Sequence, residues 1–203
     1  MENKEKIIIN YNNGKYNNQP GMFGRINEGY VKKFITESNL IENVFIGYDG
    51  WSRRALNNLV WRLRDFDGYS LASIKKAHFY LTEGKLQKKY SGNFRDCTVY
   101  IAKEVRDNQK ILSEQMKLWC KGEKILSGKF SDLLELHFNF EKIHPFIDFN
   151  GRIGRLLFLA RVINKCFKKY YFVNDLKSNY YRVFNEPEIH FKTYLKIFSK
   201  QDK

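Results

Sequence analysis

A helix has to break at Pro145. Apolar residues at helical spacing run through 131–143 and resume strongly through 152–167. The residue before a proline, here His144, is pushed away from helical geometry by the pyrrolidine ring. The chain therefore contains two helices joined by a short loop, with the N-terminus of the second aimed back into it. That junction, His144-Pro145-Phe146-Ile147-Asp148-Phe149-Asn150-Gly151-Arg152-Ile153-Gly154-Arg155, gathers an imidazole, a carboxylate, an amide, two glycines and two arginines in twelve residues. Unsatisfied N–H groups and the dipole at a helix start favour an anion, and Asn150 and Gly151 let the backbone approach a ligand closely. Arg152 and Arg155, three apart, share one face of the first turn and both reach a bound phosphate. Asp148 places a carboxylate beside that anion, as Mg²⁺ bridging phosphate oxygens requires. His144 is suited to general-base work near neutral pH, and Phe146 is an apolar anchor for the loop. Each residue alone has an ordinary structural explanation. The full set in this order points to a site that holds a phosphate chain and acts on it.

The rest of the chain is mostly helical in pattern. Residues 26–36 and then 38–45 read as one or two short helices, and another is expected at 51–66, where Leu56, Leu59, Val60 and Leu63 form an i, i+3, i+4, i+7 face. Gly68 ends that helix; 70–84 follows, with Leu71, Ile74, His78 and Leu81 on one face and Gly84 closing it. The run 90–101 holds turn residues and then β-favouring ones, and reads as a small hairpin. Further helices are expected at 108–121, at 131–143 with Ser131 and Asp132 as N-cap candidates, and at 152–167, 174–184 and 188–198. With 203 residues, 43% of them apolar and 16% aromatic, the chain can bury a substantial core and is no disordered segment. Residues 1–20, rich in Asn, Gly and Lys, read as a flexible segment ahead of one domain over 21–203. No stretch is long enough for a signal peptide or a membrane span. The isolated Cys97, Cys120 and Cys166 suggest reduced thiols in a cytoplasm. A formal net charge of +14 favours anionic partners. The Lys and Arg form no clean stripe, so a non-catalytic nucleic-acid-binding protein is the alternative from another class and rests on charge alone.

The order of residues 144–155 resembles the signature of the Fic family, His-Pro-Phe-x-Asp/Glu-Gly-Asn-Gly-Arg-x-x-Arg, at every specified position but one. The resemblance covers roughly 27–198, including a hairpin at Gly92-Asn93-Phe94-Arg95 upstream. It implies a mainly α fold, a Fic-like helical core with a small β-hairpin flap. It further implies transfer of AMP from ATP, with Mg²⁺, to a Tyr, Ser or Thr hydroxyl of a target protein or of the chain itself, in a bacterial cytoplasm and away from membranes. In that reading His144 takes the hydroxyl proton and Asp148 holds Mg²⁺. Asn150, Gly151 and Arg152 stabilise phosphate charge, Arg155 pairs with the γ-phosphate, and Gly92 to Arg95 align the target by strand pairing. Homo-oligomerisation stays open.

Upstream, Ser38-Asn39-Leu40-Ile41-Glu42-Asn43 is similar to the family's inhibitory pattern, Ser/Thr-x-x-x-Glu-Gly/Asn. By that resemblance an inhibitory helix lies near 36–45, and Glu42 competes with the γ-phosphate for the Arg155 guanidinium. The departure is Phe149, which stands where the family has glycine. If that position needs φ > 0, a bulky residue costs on the order of 1–2 kcal/mol. An AMP transferase, a transferase of another phosphate group and a weakly active or inactive relative are then all open. His78, His137, Tyr180 and Tyr181 are expected to be core residues.

Overall fold

The computed structural model describes residues 28–65, 68–101, 104–106, 110–124, 130–164 and 177–185. Among them the chain forms seven helices and one two-stranded sheet: α1 (Glu28–Ile41), α2 (Gly50–Asp65), α3 (Leu71–Thr82), β1 (Val99–Ile101), β2 (Glu104–Arg106), α4 (Leu112–Lys124), α5 (Phe130–Ile143), α6 (Asn150–Asn164) and α7 (Lys177–Asn185). The fold is mainly helical. Helix α6 is its axis. Every residue from Ile153 to Ile163 is buried, and a helix apolar nearly all round belongs in the middle of a fold. It packs against α2, α5 and α1, while α3 lies on α2. Phe158, Leu159 and Ile163 join Phe34, Leu59, Val60 and Phe140 in one core, each worth about 1.5–3 kcal/mol on burial. Two aromatic donors inside it are matched: Tyr69 donates to the Leu157 carbonyl at 2.7 Å and Trp119 to that of Leu136 at 3.0 Å.

The helix starts follow local chemistry. Asp49 accepts from the Ser52 amide at 2.7 Å and caps α2. Ser70 and Ser73 form a reciprocal capping box at the start of α3. Ser131 and Asp132, expected as N-caps, instead lie inside the first turn of α5, which begins at Phe130. Of the one or two helices read over 26–36 and 38–45, the structure has one, α1. Nothing between Thr36 and Ser38 interrupts it, and one buried stripe (Tyr30, Val31, Phe34, Ile35, Ser38, Ile41) crosses the supposed joint.

The hairpin needs correction. Strands pair at Val99↔Arg106, Tyr100↔Val105 and Ile101↔Glu104, so Gly92, Asn93, Phe94 and Arg95 precede the ribbon. The turn signal at Gly92-Asn93 closes back on α3: Gly92 has φ 76° and lies where a Cβ would strike Phe79. The β-favouring residues pair forward with 104–106. The segment 1–20, the helix expected at 188–198 and Cys166 lie outside the described residues. No helix among the described residues is long and apolar enough to cross a membrane.

Candidate active site

Helix α5 ends on a left-handed residue. His144 has φ 51°, and its N–H donates to the Phe140 carbonyl at 3.1 Å, four residues back. This is the αL way of closing a helix. The helix breaks before Pro145, as expected, and does so through the left-handed region. The ring is half-buried. Its Nδ1 lies 3.3 Å from the Glu141 carbonyl, an acceptor, so Nδ1 carries the proton and the Nε2 lone pair is left open. Burial pushes the His144 pKa down to about 4; the Arg95 and Arg106 guanidiniums act in the same direction, the Glu141 carbonyl and Asp148 against it. The imidazole is therefore neutral at pH 7, the state a base needs.

Arg95 holds the loop from below. It is buried, and its Nε donates to the His144 carbonyl at 2.8 Å, its Nη1 to the Cys97 carbonyl at 2.7 Å and its backbone N–H to the Pro145 carbonyl at 2.9 Å. Arg106 of β2 donates to the Lys142 carbonyl at 3.1 Å and ties the ribbon to the end of α5. Inside the loop, Asn150 accepts the Phe146 N–H and donates to the Phe146 carbonyl, both at 2.9 Å. Its amide is thus a cross-brace, and its place in an anion site is to shape the loop. Phe149 does sit at positive φ, 65°, and its carbonyl takes the first bond of α6 from Ile153 at 3.0 Å.

Asp148 is exposed, and one carboxylate oxygen accepts the Phe149 N–H at 2.5 Å. No group of three or more metal-ligating side chains occurs among the described residues. One outward carboxylate suits Mg²⁺, which binds through one or two carboxylates and substrate phosphates and keeps several waters. The Asp148 carbonyl lies 3.1 Å from His78 Nε2, and His78 Nδ1 accepts the Gly92 N–H at 3.0 Å. That second bond sets the tautomer: Nε2 carries the proton and donates to Asp148. Burial, which holds the pKa near 4, keeps His78 neutral. It is the core residue expected, and it also joins the Gly92 segment to the loop.

Across the first turn of α6 stands the end of α1. Arg155 is fully buried and makes four hydrogen bonds: Nε to Ser38 Oγ (2.8 Å), Nη2 to the Ser38 carbonyl (3.0 Å), Nη2 to Glu42 Oε1 (2.6 Å) and Nη1 to Tyr180 Oη (3.3 Å). Burial pulls the Glu42 pKa up, but the Arg155 charge and hydrogen bond outweigh it, aided by Arg152 and Lys177, and the carboxyl ends below its ordinary value. The placement of Glu42 follows from two small details. Asn43 adopts φ 57°, with Val44 N–H on the Asn39 carbonyl (3.0 Å) and Asn43 N–H on that of Leu40 (2.9 Å), a Schellman closure that leaves Glu42 as the C-cap residue just past α1. A Gly or Asn is what this position accepts. Gly151 clears the landing place: a Cβ there would overlap the Glu42 carboxylate.

Arg152, by contrast, has its guanidinium carbon 3.5 Å from the centre of the Phe149 ring. The structure thus brings together His144, Asp148, Gly151, Arg152, Arg155, Ser38 and Glu42. Three further participants went unrecognised. Tyr180 bridges Arg155 and His137 Nε2 (3.1 Å). His78 joins two segments, as above. Glu141 is buried against Gly154, its Oε1 without a partner among the described residues and its pKa raised by burial to about 8. Only the i−3 relation of Glu141 to His144 gave any hint in the sequence.

Residues 68–160 match the family model of Fic, the Fic/DOC family. No curated protein matches the chain. Among solved structures, the chain is similar to a Fic domain containing signaling protein from Bacteroides thetaiotaomicron, with a TM-score of 0.64, 16% identity, and 84% of this chain and 83% of that one covered. It is also similar to Fic-1 from C. elegans (TM-score 0.58, 17% identity, 81% and 56% covered). A third is a Fic family protein from Desulfovibrio desulfuricans (TM-score 0.57, 19% identity, 81% and 58% covered). The chain spans under three-fifths of the length of these last two. At these identities the likeness is one of fold.

Proposed function

We propose that the chain transfers AMP from ATP to a hydroxyl of a protein, and that Glu42 restrains it. One observation carries this reading. A neutral histidine with Nε2 open stands at the mouth of an anion-binding helix start, inside a loop that keeps the family order of residues. His144 Nε2 takes the proton of the attacking hydroxyl; the oxygen bonds to the α-phosphorus, and the bond to the pyrophosphate oxygen breaks. Gly151 and the first N–H groups of α6, with Arg152, stabilise the charge that grows on the phosphates. Mg²⁺ brought by ATP and held through Asp148 would neutralise part of that charge. Arg155 pairs with the γ-phosphate once Glu42 leaves it, since a carboxylate and a phosphate compete for one guanidinium fork.

Target docking passes from Gly92–Arg95, which packs under the loop, to the ribbon at 99–106. Its two strands pair only with each other among the described residues, so an extended target segment can add to an edge. Tyr100 and Val105 are exposed on it.

Intact-mass analysis with Mg²⁺ and ATP tests the proposal on wild type, Glu42→Gly and Glu42→Gly/His144→Ala, with candidate targets present. The expected result is a gain of one AMP, larger in Glu42→Gly and absent in the double variant. A gain of phosphate alone assigns another transfer on the same scaffold. No adduct in Glu42→Gly overturns the activity.

A further inference from the structure

Phe149 is the residue that departs from the family pattern, and the structure keeps it at a cost. A phenylalanine at φ 65° pays the steric penalty of the left-handed region, and such strain persists where surrounding contacts hold it. The contacts here are specific. The ring is 7% exposed and meets His78 edge-on, with centroids 6.4 Å apart. Its centre lies 3.5 Å from the Arg152 guanidinium carbon and 5.7 Å from Lys85 Nζ. Lys85, just past α3 and outside the signature, also lies 4.2 Å from the centre of the Trp51 indole at the start of α2. Two cations therefore gather on one aromatic ring beside the first turn of α6.

Carboxylates reach these two cations only from beyond ion-pair distance: Asp148, Glu42 and Asp49 act on Arg152, and Asp49 on Lys85. Neither forms an ion pair among the described residues, and Arg152 Nε is buried without an acceptor. Of the nearby carboxylates, Glu42 is ion-paired with Arg155, while Asp148 and Asp49 are turned to the Phe149 N–H and to Ser52 and touch neither cation. Like charges side by side with an unfilled donor call for a multiply charged anion.

We propose that Phe149 and Lys85 belong to the phosphate-binding machinery, Phe149 as a positioning residue that clamps Arg152 against its ring and Lys85 as a further cation facing the same anion. The ligand class is the di- or triphosphate of a nucleotide, and the inference rests on reading the 144–155 loop as a phosphate site. The ring orders a long, mobile side chain before the ligand arrives, so less freedom is lost on binding.

Calorimetric titration with inorganic pyrophosphate and with ATP, in the Glu42→Gly protein, tests this. Phe149→Leu keeps an apolar filler but removes the stack and is expected to weaken both ligands about tenfold. Phe149→Tyr keeps the stack and restores them. Lys85→Gln, on an exposed side chain, is expected to weaken both about three- to tenfold and to flatten the dependence of affinity on salt. In turnover, KM for ATP rises in Phe149→Leu and Lys85→Gln while kcat holds, a split that mere loss of structure does not produce. Unchanged pyrophosphate affinity in Lys85→Gln and Phe149→Leu overturns the proposal and leaves the loop reading intact. Should the Glu42→Gly parent bind neither ligand, both fall together. If Phe149→Leu fails to fold, Lys85→Gln alone decides.

Discussion

Replacing Glu42 by glycine is expected to destabilise the protein without ligand and to tighten ATP binding, both through the same bond. The bond is the 2.6 Å contact from a fully buried guanidinium to a carboxylate whose side chain is 29% exposed. A hydrogen bond to a charged group is worth about 1.5–3 kcal/mol, and partial exposure places this one near 2 kcal/mol by the same scale. Glycine at the helix end adds about 0.5–1 kcal/mol of chain entropy. The sum, about 3 kcal/mol, corresponds to a fall in Tm of about 6–12 °C for a domain of this size. ATP sees the reverse. In the wild type the γ-phosphate must first displace the carboxylate, and about 2 kcal/mol is about a 30-fold weakening. Glu42→Gly should therefore bind Mg-ATP about 30-fold more tightly, and ATP at 100 Kd should return about 2.7 kcal/mol of stability. Differential scanning fluorimetry with and without Mg-ATP, together with titration calorimetry, reads both sides. Glu42→Gln, which keeps the shape and removes the charge, should fall between. A large loss of Tm with unchanged ATP affinity would refute the argument: the pair would be a structural staple, with no bearing on the nucleotide.

Gly151→Ala should evict Glu42 by overlap, costing about 2 kcal/mol in the wild type and clearly less in Glu42→Gly, where only the 3.0 Å approach to Arg155 Nη1 remains; urea denaturation of the four proteins in this cycle measures the coupling, and additive losses would contradict the placement of Glu42. Burial raises the Glu141 pKa to about 8 from an unfolded value near 4.5, so between those values the folded state keeps a proton that the unfolded chain releases. Between pH 4.5 and 6.5 the buried, neutral His78, His137 and His144 act the opposite way, because the unfolded chain takes up protons that they refuse. Above about 6.5 only Glu141 is left of these four, so stability should decline toward pH 8, and Glu141→Gln should remove that decline in urea midpoints. His144 is held neutral down to about pH 4. The acid limb of kcat/KM, which reports the free enzyme, should then lie well below the ordinary imidazole value of about 6.5; a limb near 6.5 would mean that burial does not govern this ring.

What could be read from the sequence was what local chain chemistry decides. Pro145 ends α5 whatever surrounds it, and the apolar girdle of α6 announces a central helix. Asn43 reads as part of a helix expected to run to 45, and only the structure shows the left-handed end there. The Glu42–Arg155 pair spans 113 positions, and only resemblance to a family pattern suggested it. Tyr180 and His78 were read correctly as buried, yet their partners lie 25 and 70 residues away in Arg155 and Asp148. No periodicity carries that information. The ribbon was misplaced because Gly92-Asn93 signals a turn without saying what the turn rejoins. Asn150 looks like a ligand in sequence, while in the fold both ends of its amide are committed to Phe146.

The bonds of His78 have a mechanical consequence. Its ring lies flat on Phe146, with centroids 3.7 Å apart and planes 2° from parallel, so it can neither tilt nor flip without leaving the stack. One nitrogen grips the backbone at Gly92 and the other grips it at Asp148. The segment leading to the ribbon and the corner of the loop at Asp148 are therefore gauged from the same rigid plate. A displacement of one carries the other with it, and the spacing between the two segments is set by the width of an imidazole.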